Sequence, residues 1–165
     1  MREGLSYGFG VGYGWSRVGC QNCIGQRDGG PSLLASIGVA TSESLVIGLE
    51  ATGWGRQDDE VRRVHATASL LANWYPNPRG RMHLSFGGGA TFYRASDGGS
   101  TALTSTSFGP RVGMGIDLPA GPNSTLTPFV RYSQTLYGNL RFGDTVAVGD
   151  AGFSLIQVGL SVTWR

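Results

Sequence analysis

The chain has 165 residues, a formal net charge of +2, only 15% charged residues and 28 glycines, against roughly 25% charge and about 7% glycine in an ordinary soluble domain. No run approaches the roughly 18 consecutive apolar residues of a membrane-spanning helix, so a chain of this kind that crosses a bilayer must do so with strands closed into a barrel. Its 13 basic residues are scattered and not gathered into a stripe, which argues against nucleic acid as a partner.

The length suits one domain spanning 1–165. Met1-Arg2-Glu3-Gly4 lead straight into an alternating segment without the apolar core of a secretory signal, and the chain is read as a mature sequence given a starting Met. In the first run Leu5, Tyr7, Phe9, Val11, Tyr13 and Trp15 alternate with Ser6, Gly8, Gly10, Gly12, Gly14 and Ser16. This is the period of two of a β-strand. One face is large and apolar while the other is nearly bare, where a water-facing strand would carry Lys, Glu or Thr.

The pattern recurs along the chain. Leu33, Ala35, Ile37 and Val39 form the apolar face of a second run, and Leu45, Ile47, Leu49 and Ala51 that of a third. Val64 to Trp74 and Leu84 to Phe92 give the fourth and fifth, Phe108 to Leu118 the sixth, Leu126 to Tyr132 the seventh and Ile156 to Trp164 the eighth. Runs of about ten residues, tilted near 40°, cross an apolar band of about 25 Å. The connections alternate between short (Ser42 to Ser44, Pro76 to Arg81, Ala120 to Asn123) and long (Cys20 to Gly30, Gly55 to Arg62, Ala95 to Ala102, Tyr137 to Ala151). The expected fold is therefore all-β: an eight-stranded antiparallel up-and-down transmembrane β-barrel. Short turns and both termini are placed at the periplasm and long loops outside. Pro110 and Pro128 fall inside strands, where each removes a ladder donor and calls for a bulge.

With these runs in place, the chain resembles the eight-stranded bacterial outer-membrane barrels, the group that includes the transmembrane domain of outer membrane protein A and outer membrane protein X. Its last strand carries the most specific likeness: Leu160, Val162 and Trp164, in the alternating segment Gln157 to Trp164, look like the C-terminal signal read by the barrel assembly machinery. The sequence departs from that pattern by one residue, since Arg165 follows the aromatic. The resemblance implies an outer-membrane location, contact with outer-membrane lipid and lipopolysaccharide, and insertion by the barrel assembly machinery.

Parity then assigns the lumen. Glu50, Arg63, His65, His83, Arg111, Asp117, Arg131 and Gln157 point inward, and an eight-stranded barrel is wide enough only for side chains to fill it. Charges there need partners, so Glu50 is expected to pair with Arg111 or Arg131, and the resemblance implies a similar ionic plug. Six of these residues, Glu50, Arg63, His65, Arg111, Arg131 and Gln157, make up the expected polar plug. Tyr7, Trp15, Trp74 and Trp164 are assigned to aromatic girdles at the bilayer interfaces. Cys20 and Cys23 suit a local disulfide in an oxidising compartment.

No catalytic residue is expected. A hydrolase needs a nucleophile, a base and an orienting group, and the two histidines fall on the inward parity without a serine set on the lipid face. Two histidines are too few to argue a metal site, and no cofactor is expected. The charged stretch Arg56 to Glu60 with Arg62 and Arg63 reads as a solvated loop rim that could reach lipopolysaccharide. The leading function is structural, anchoring or surface interaction through the external loops, with a surface protein as a candidate partner. The alternatives are a narrow channel or small-solute binder, a lipid-modifying enzyme, and a soluble lipocalin-like carrier with the faces inverted.

Overall fold

In the computed structural model of the chain, residues 4–20, 23–58, 61–97, 102–135, 138–142 and 145–165 are described. Ten strands are present: β1 (Leu5–Cys20), β2 (Cys23–Ser42), β3 (Leu45–Asp58), β4 (Val61–Trp74), β5 (Met82–Ser96), β6 (Ala102–Ile116), β7 (Leu118–Pro119), β8 (Ser124–Gln134), β9 (Gly138–Phe142) and β10 (Thr145–Trp164). They make eight antiparallel barrel walls. The two-residue β7 prolongs β6, and β8 and β9 together fill the place between β6 and β10. Pairing of β1 with β10, from Tyr7↔Trp164 to Gly19↔Gly152, closes the sheet on itself. Closure pairs β1 and β10 with each other, so neither is left as a free sheet edge in an apolar medium.

The alternation of the sequence becomes the two surfaces of the barrel. Val11, Leu33 and Phe108 on the outside are 62%, 65% and 68% exposed, and none of the described residues covers them. A surface of this kind is stable only against another apolar phase. Tyr7 stacks on Trp164 at 5.7 Å near the end that carries the chain termini, and Tyr13 meets Trp15 edge-on at 5.2 Å near the other, the hairpin end.

Glycine supplies room inside the wall. A Cβ on Gly113 would lie 2.8 Å from Cγ of Arg131, and one on Gly115 would lie 2.7 Å from the His83 ring. Each glycine opposes a large inward side chain on a neighbouring strand, so the bare face of the sequence is the space the plug occupies.

The expected long loops are corrected by the structure. Most of Cys20 to Gly30, Gly55 to Arg62 and Tyr137 to Ala151 continues the strands as paired hairpins, with β1 and β2 in register from Arg17↔Arg27 and, past a shift, Gly19↔Ile24. Backbone pairing does not end where the outer face stops being apolar, whereas the alternation does. The ladder between β6 and β8 ends at both of the prolines noted, since Gly115↔Phe129 is its last pair before Pro128 and Arg111↔Ser133 its last before Pro110. Neither proline has an N–H to donate. Toward β10, Pro128 keeps its place opposite Leu160.

Candidate functional site

The middle of the lumen is an ionic cluster assembled from four walls. Glu50 on β3 and Arg111 on β6 are 4% and 3% exposed, with Arg131 on β8 and Gln157 on β10 also buried. Inward parity on each strand brings them together, because alternate residues of every wall converge on the same axis. Arg111 Nη2 lies 2.8 Å from Glu50 Oε1, and Arg131 Nη1 lies 2.5 Å from Glu50 Oε2. Glu50 therefore joins both arginines, not one. Arg111 also donates to Thr52 Oγ1 at 3.0 Å and to Gln157 Oε1 at 3.2 Å. The Arg131 guanidinium lies over the Phe129 ring, 4.4 Å from its centroid, a cation–π contact that compensates part of its desolvation.

Toward the terminal end lies a second polar group around Asp117. Tyr75 donates to Asp117 Oδ2 at 2.8 Å and Thr127 to Oδ1 at 2.9 Å, while His83 Nδ1 stands 3.4 Å from Oδ1 and Arg165 Nη2 3.6 Å from Oδ2. These residues border a polar cavity of about 80 Å³ that reaches up to Glu50 and Arg131. By volume that is room for a few water molecules at about 30 Å³ each.

Above the ionic cluster the register sets Trp54, His65, Tyr93 and Ser105 side by side on β3, β4, β5 and β6. The His65 ring meets Trp54, Tyr93 and Phe153 edge-on at 6.3, 5.5 and 5.5 Å. All of these side chains are buried, and both His65 nitrogens lack a hydrogen-bond partner. His65 is thus packed in an aromatic layer and does not touch the ionic cluster.

Arg63 is displaced further from its expected place. It belongs to the hairpin-end mouth, 30% exposed, where Nη1 pairs with Asp28 at 2.8 Å and with Asp58 at 3.3 Å. Arg56 pairs with the same Asp58 and donates to the Gly29 carbonyl oxygen at 3.1 Å. The hydrogen bond from Arg56 holds the Asp58 carboxyl below its usual range, and the same bond raises the Arg56 guanidinium.

The outward aromatics Tyr7, Trp15 and Trp74 are exposed, and Trp164 is half-buried against Tyr7. Leu160, Val162 and Trp164 pair with Val11, Phe9 and Tyr7 along the closing seam. Cys20 and Cys23 are backbone partners at the tip of the first hairpin; their side chains, and with them the disulfide, lie outside the described residues. Asp59 and Glu60 of the charged rim lie outside them too. Among the described residues no group of three or more His, Cys, Asp or Glu side chains is placed to hold a metal ion.

Sequence reasoning passed over Trp54, Tyr75, Tyr93, Phe153 and Asp28. Trp54 was within reach, since it continues the Glu50–Thr52 parity by one step.

Neither a protein-family model nor a curated protein matches the chain. Solved structures do. Over 99% of this chain and 99% of its own, the Neisserial surface protein A superposes with a TM-score of 0.62 at 19% identity. Ail, the attachment invasion locus protein of Yersinia pestis, gives 0.58 at 12% identity over 99% of this chain and 100% of its own. The outer membrane protein OprG from Pseudomonas aeruginosa gives 0.58 at 13% identity over 99% and 98%. All are small outer-membrane barrels, and this chain has their fold: a closed, eight-stranded antiparallel barrel.

Proposed function

We propose that the protein is a bacterial outer-membrane barrel, closed to bulk flow, that anchors its hairpin ends as a rigid surface for interaction. The observation that carries this reading is the buried Glu50, held between Arg111 and Arg131 across the lumen. With the aromatic layer above it, this cluster fills the barrel section and leaves no wide aqueous path. The uncovered apolar belt and its aromatics support a position in the bilayer. The contrast between three short turns at the terminal end and long hairpins at the other supports periplasmic termini and an external mouth. In this reading outer-membrane lipid and lipopolysaccharide surround the belt, the barrel assembly machinery inserts the chain through its last strand, and a surface protein is the candidate partner of the hairpins. The role is non-enzymatic.

Two measurements test it. Heat-modifiable migration in detergent, with recovery from the outer-membrane fraction, is expected, and a chain soluble without detergent contradicts the reading. Gln57→Cys, made with Cys20 and Cys23 changed to Ser, should react with an impermeant maleimide on whole cells; reaction only after lysis reverses the orientation. A narrow channel is the second reading, favoured by the polar cavity that runs from the terminal end as far as Glu50.

A further inference from the structure

At the hairpin-end mouth, above the aromatic layer, the walls form an open cup of about 350 Å³. Its polar lining comes from Ser16, Gln26, Asp28 and Arg63, and its floor from Trp54 and Tyr93. These residues stand on β1, β2, β3, β4 and β5, so the cup is held by paired strands and not by mobile loops. Below the floor, Trp54, His65, Tyr93 and Phe153 are packed ring against ring. A solute that enters the cup is stopped there. The cup can bind but not conduct.

Charge narrows the class of ligand. Beside the cup Arg56, Arg63, Asp28 and Asp58, two charges of each sign, are already paired with one another, while Arg17, Arg27, Arg62 and Arg94 of the same hairpin end take the outward parity. An anion held on the free N–H groups of Arg63 would lie against the Asp28 and Asp58 carboxylates, and a cation held on those carboxylates would lie against Arg63 and Arg56. A hydroxyl both donates and accepts, so it can use the free lone pairs of Asp28 and the free N–H groups of Arg63 while the pair stays closed. The volume, that of about twelve waters at about 30 Å³ each, is ample for one sugar ring with bridging waters beside it. We propose that this cup is a binding site for one neutral, polyhydroxylated ring: the terminal, uncharged sugar of a glycan. In the cell this rests on the outward orientation proposed above; binding in detergent does not, so the two can fail separately.

The test uses the full chain, 15N-labelled and refolded in detergent micelles, titrated with a panel of neutral methyl hexopyranosides. Sucrose octasulfate and glycine serve as charged probes. At least one neutral glycoside should give saturable shifts at the Trp54 indole N–H and at the amides of Ser16, Tyr93 and Leu103. Asp28→Asn and Arg63→Gln should each weaken binding at least about tenfold, since hydrogen bonds to charged groups are lost. Gln26→Ala, at an exposed position of the lining, should weaken it several-fold. Arg94→Gln, an exposed residue outside the cup, should leave it unchanged. The proposal is overturned if no neutral glycoside saturates, if only the sulfated or zwitterionic probe binds, or if the shifts fall away from the cup.

Discussion

Two sets of arginines and carboxylates lie at different depths of one barrel, and only their surroundings differ. In the middle, Glu50 is shared by Arg111 and Arg131 with all three buried. At the mouth, Asp58 is shared by Arg56 and Arg63, with side chains 30–39% exposed. Water screens the second set and solvates either partner left alone. The first has no such refuge, so losing one member leaves a bare charge in a closed space. The same chemistry acts as structure at one depth and as a wettable rim at the other.

The largest effect should come from the middle. Glu50→Ala strands two guanidinium groups and is expected to cost about 3–5 kcal/mol, read as a shift of the urea midpoint of heat-modifiable migration in detergent. Replacing all three charges with apolar residues of similar size, as Glu50→Leu with Arg111→Met and Arg131→Met, should recover most of that loss, because no charge is left unpaired. An alanine variant as stable as the parent breaks the comparison. Next comes Gly113→Val, which needs the room taken by the Arg131 stem and should cost about 1–3 kcal/mol by overpacking. A neutral result there means that the bare face of β6 is not what admits the plug.

The mouth should respond weakly. Arg63→Ala is expected to change stability by no more than about 1 kcal/mol in the same assay, although it removes contacts to both Asp28 and Asp58. An effect as large as that of Glu50→Ala would erase the distinction of depth. The smallest change should follow acidification. Because its hydrogen bond from Arg56 lowers the Asp58 carboxyl in the folded state, its contribution is present in full above the unfolded value, near 3.8, and is lost as pH falls through the lower folded value. Protection of the Arg56–Asp58 tip amides, measured as exchange relative to an unstructured chain at the same pH, should fall only on that descent, and a fall in protection as pH rises toward neutrality would show the sign to be wrong.

Much of the frame could be read from residues alone. Leu5 to Trp15 and the matching runs fix the outer face, and inward parity already gathers Glu50, Arg111, Arg131 and Gln157. Parity tells which face a residue takes but not its height. Arg63 shares the parity of the plug, yet Glu50 pairs with Ser69, six residues further along β4, or about 20 Å at about 3.3 Å per residue. Only the strand register separates them. The hairpin extensions were hidden for a related reason: beyond the apolar belt the outward positions turn polar, as at the paired Arg17 and Arg27, so the strands go on pairing without the alternation that marks them. Trp54, Tyr93 and Phe153 lie near that boundary, where the outer face no longer marks the strand.

The claim that the buried cluster closes the barrel is tested most directly by electrical recording of the purified full chain in planar lipid bilayers. No steady conductance is predicted, since Glu50, Arg111, Arg131 and the aromatic layer fill the section. Reproducible open-channel steps from the parent chain would contradict it.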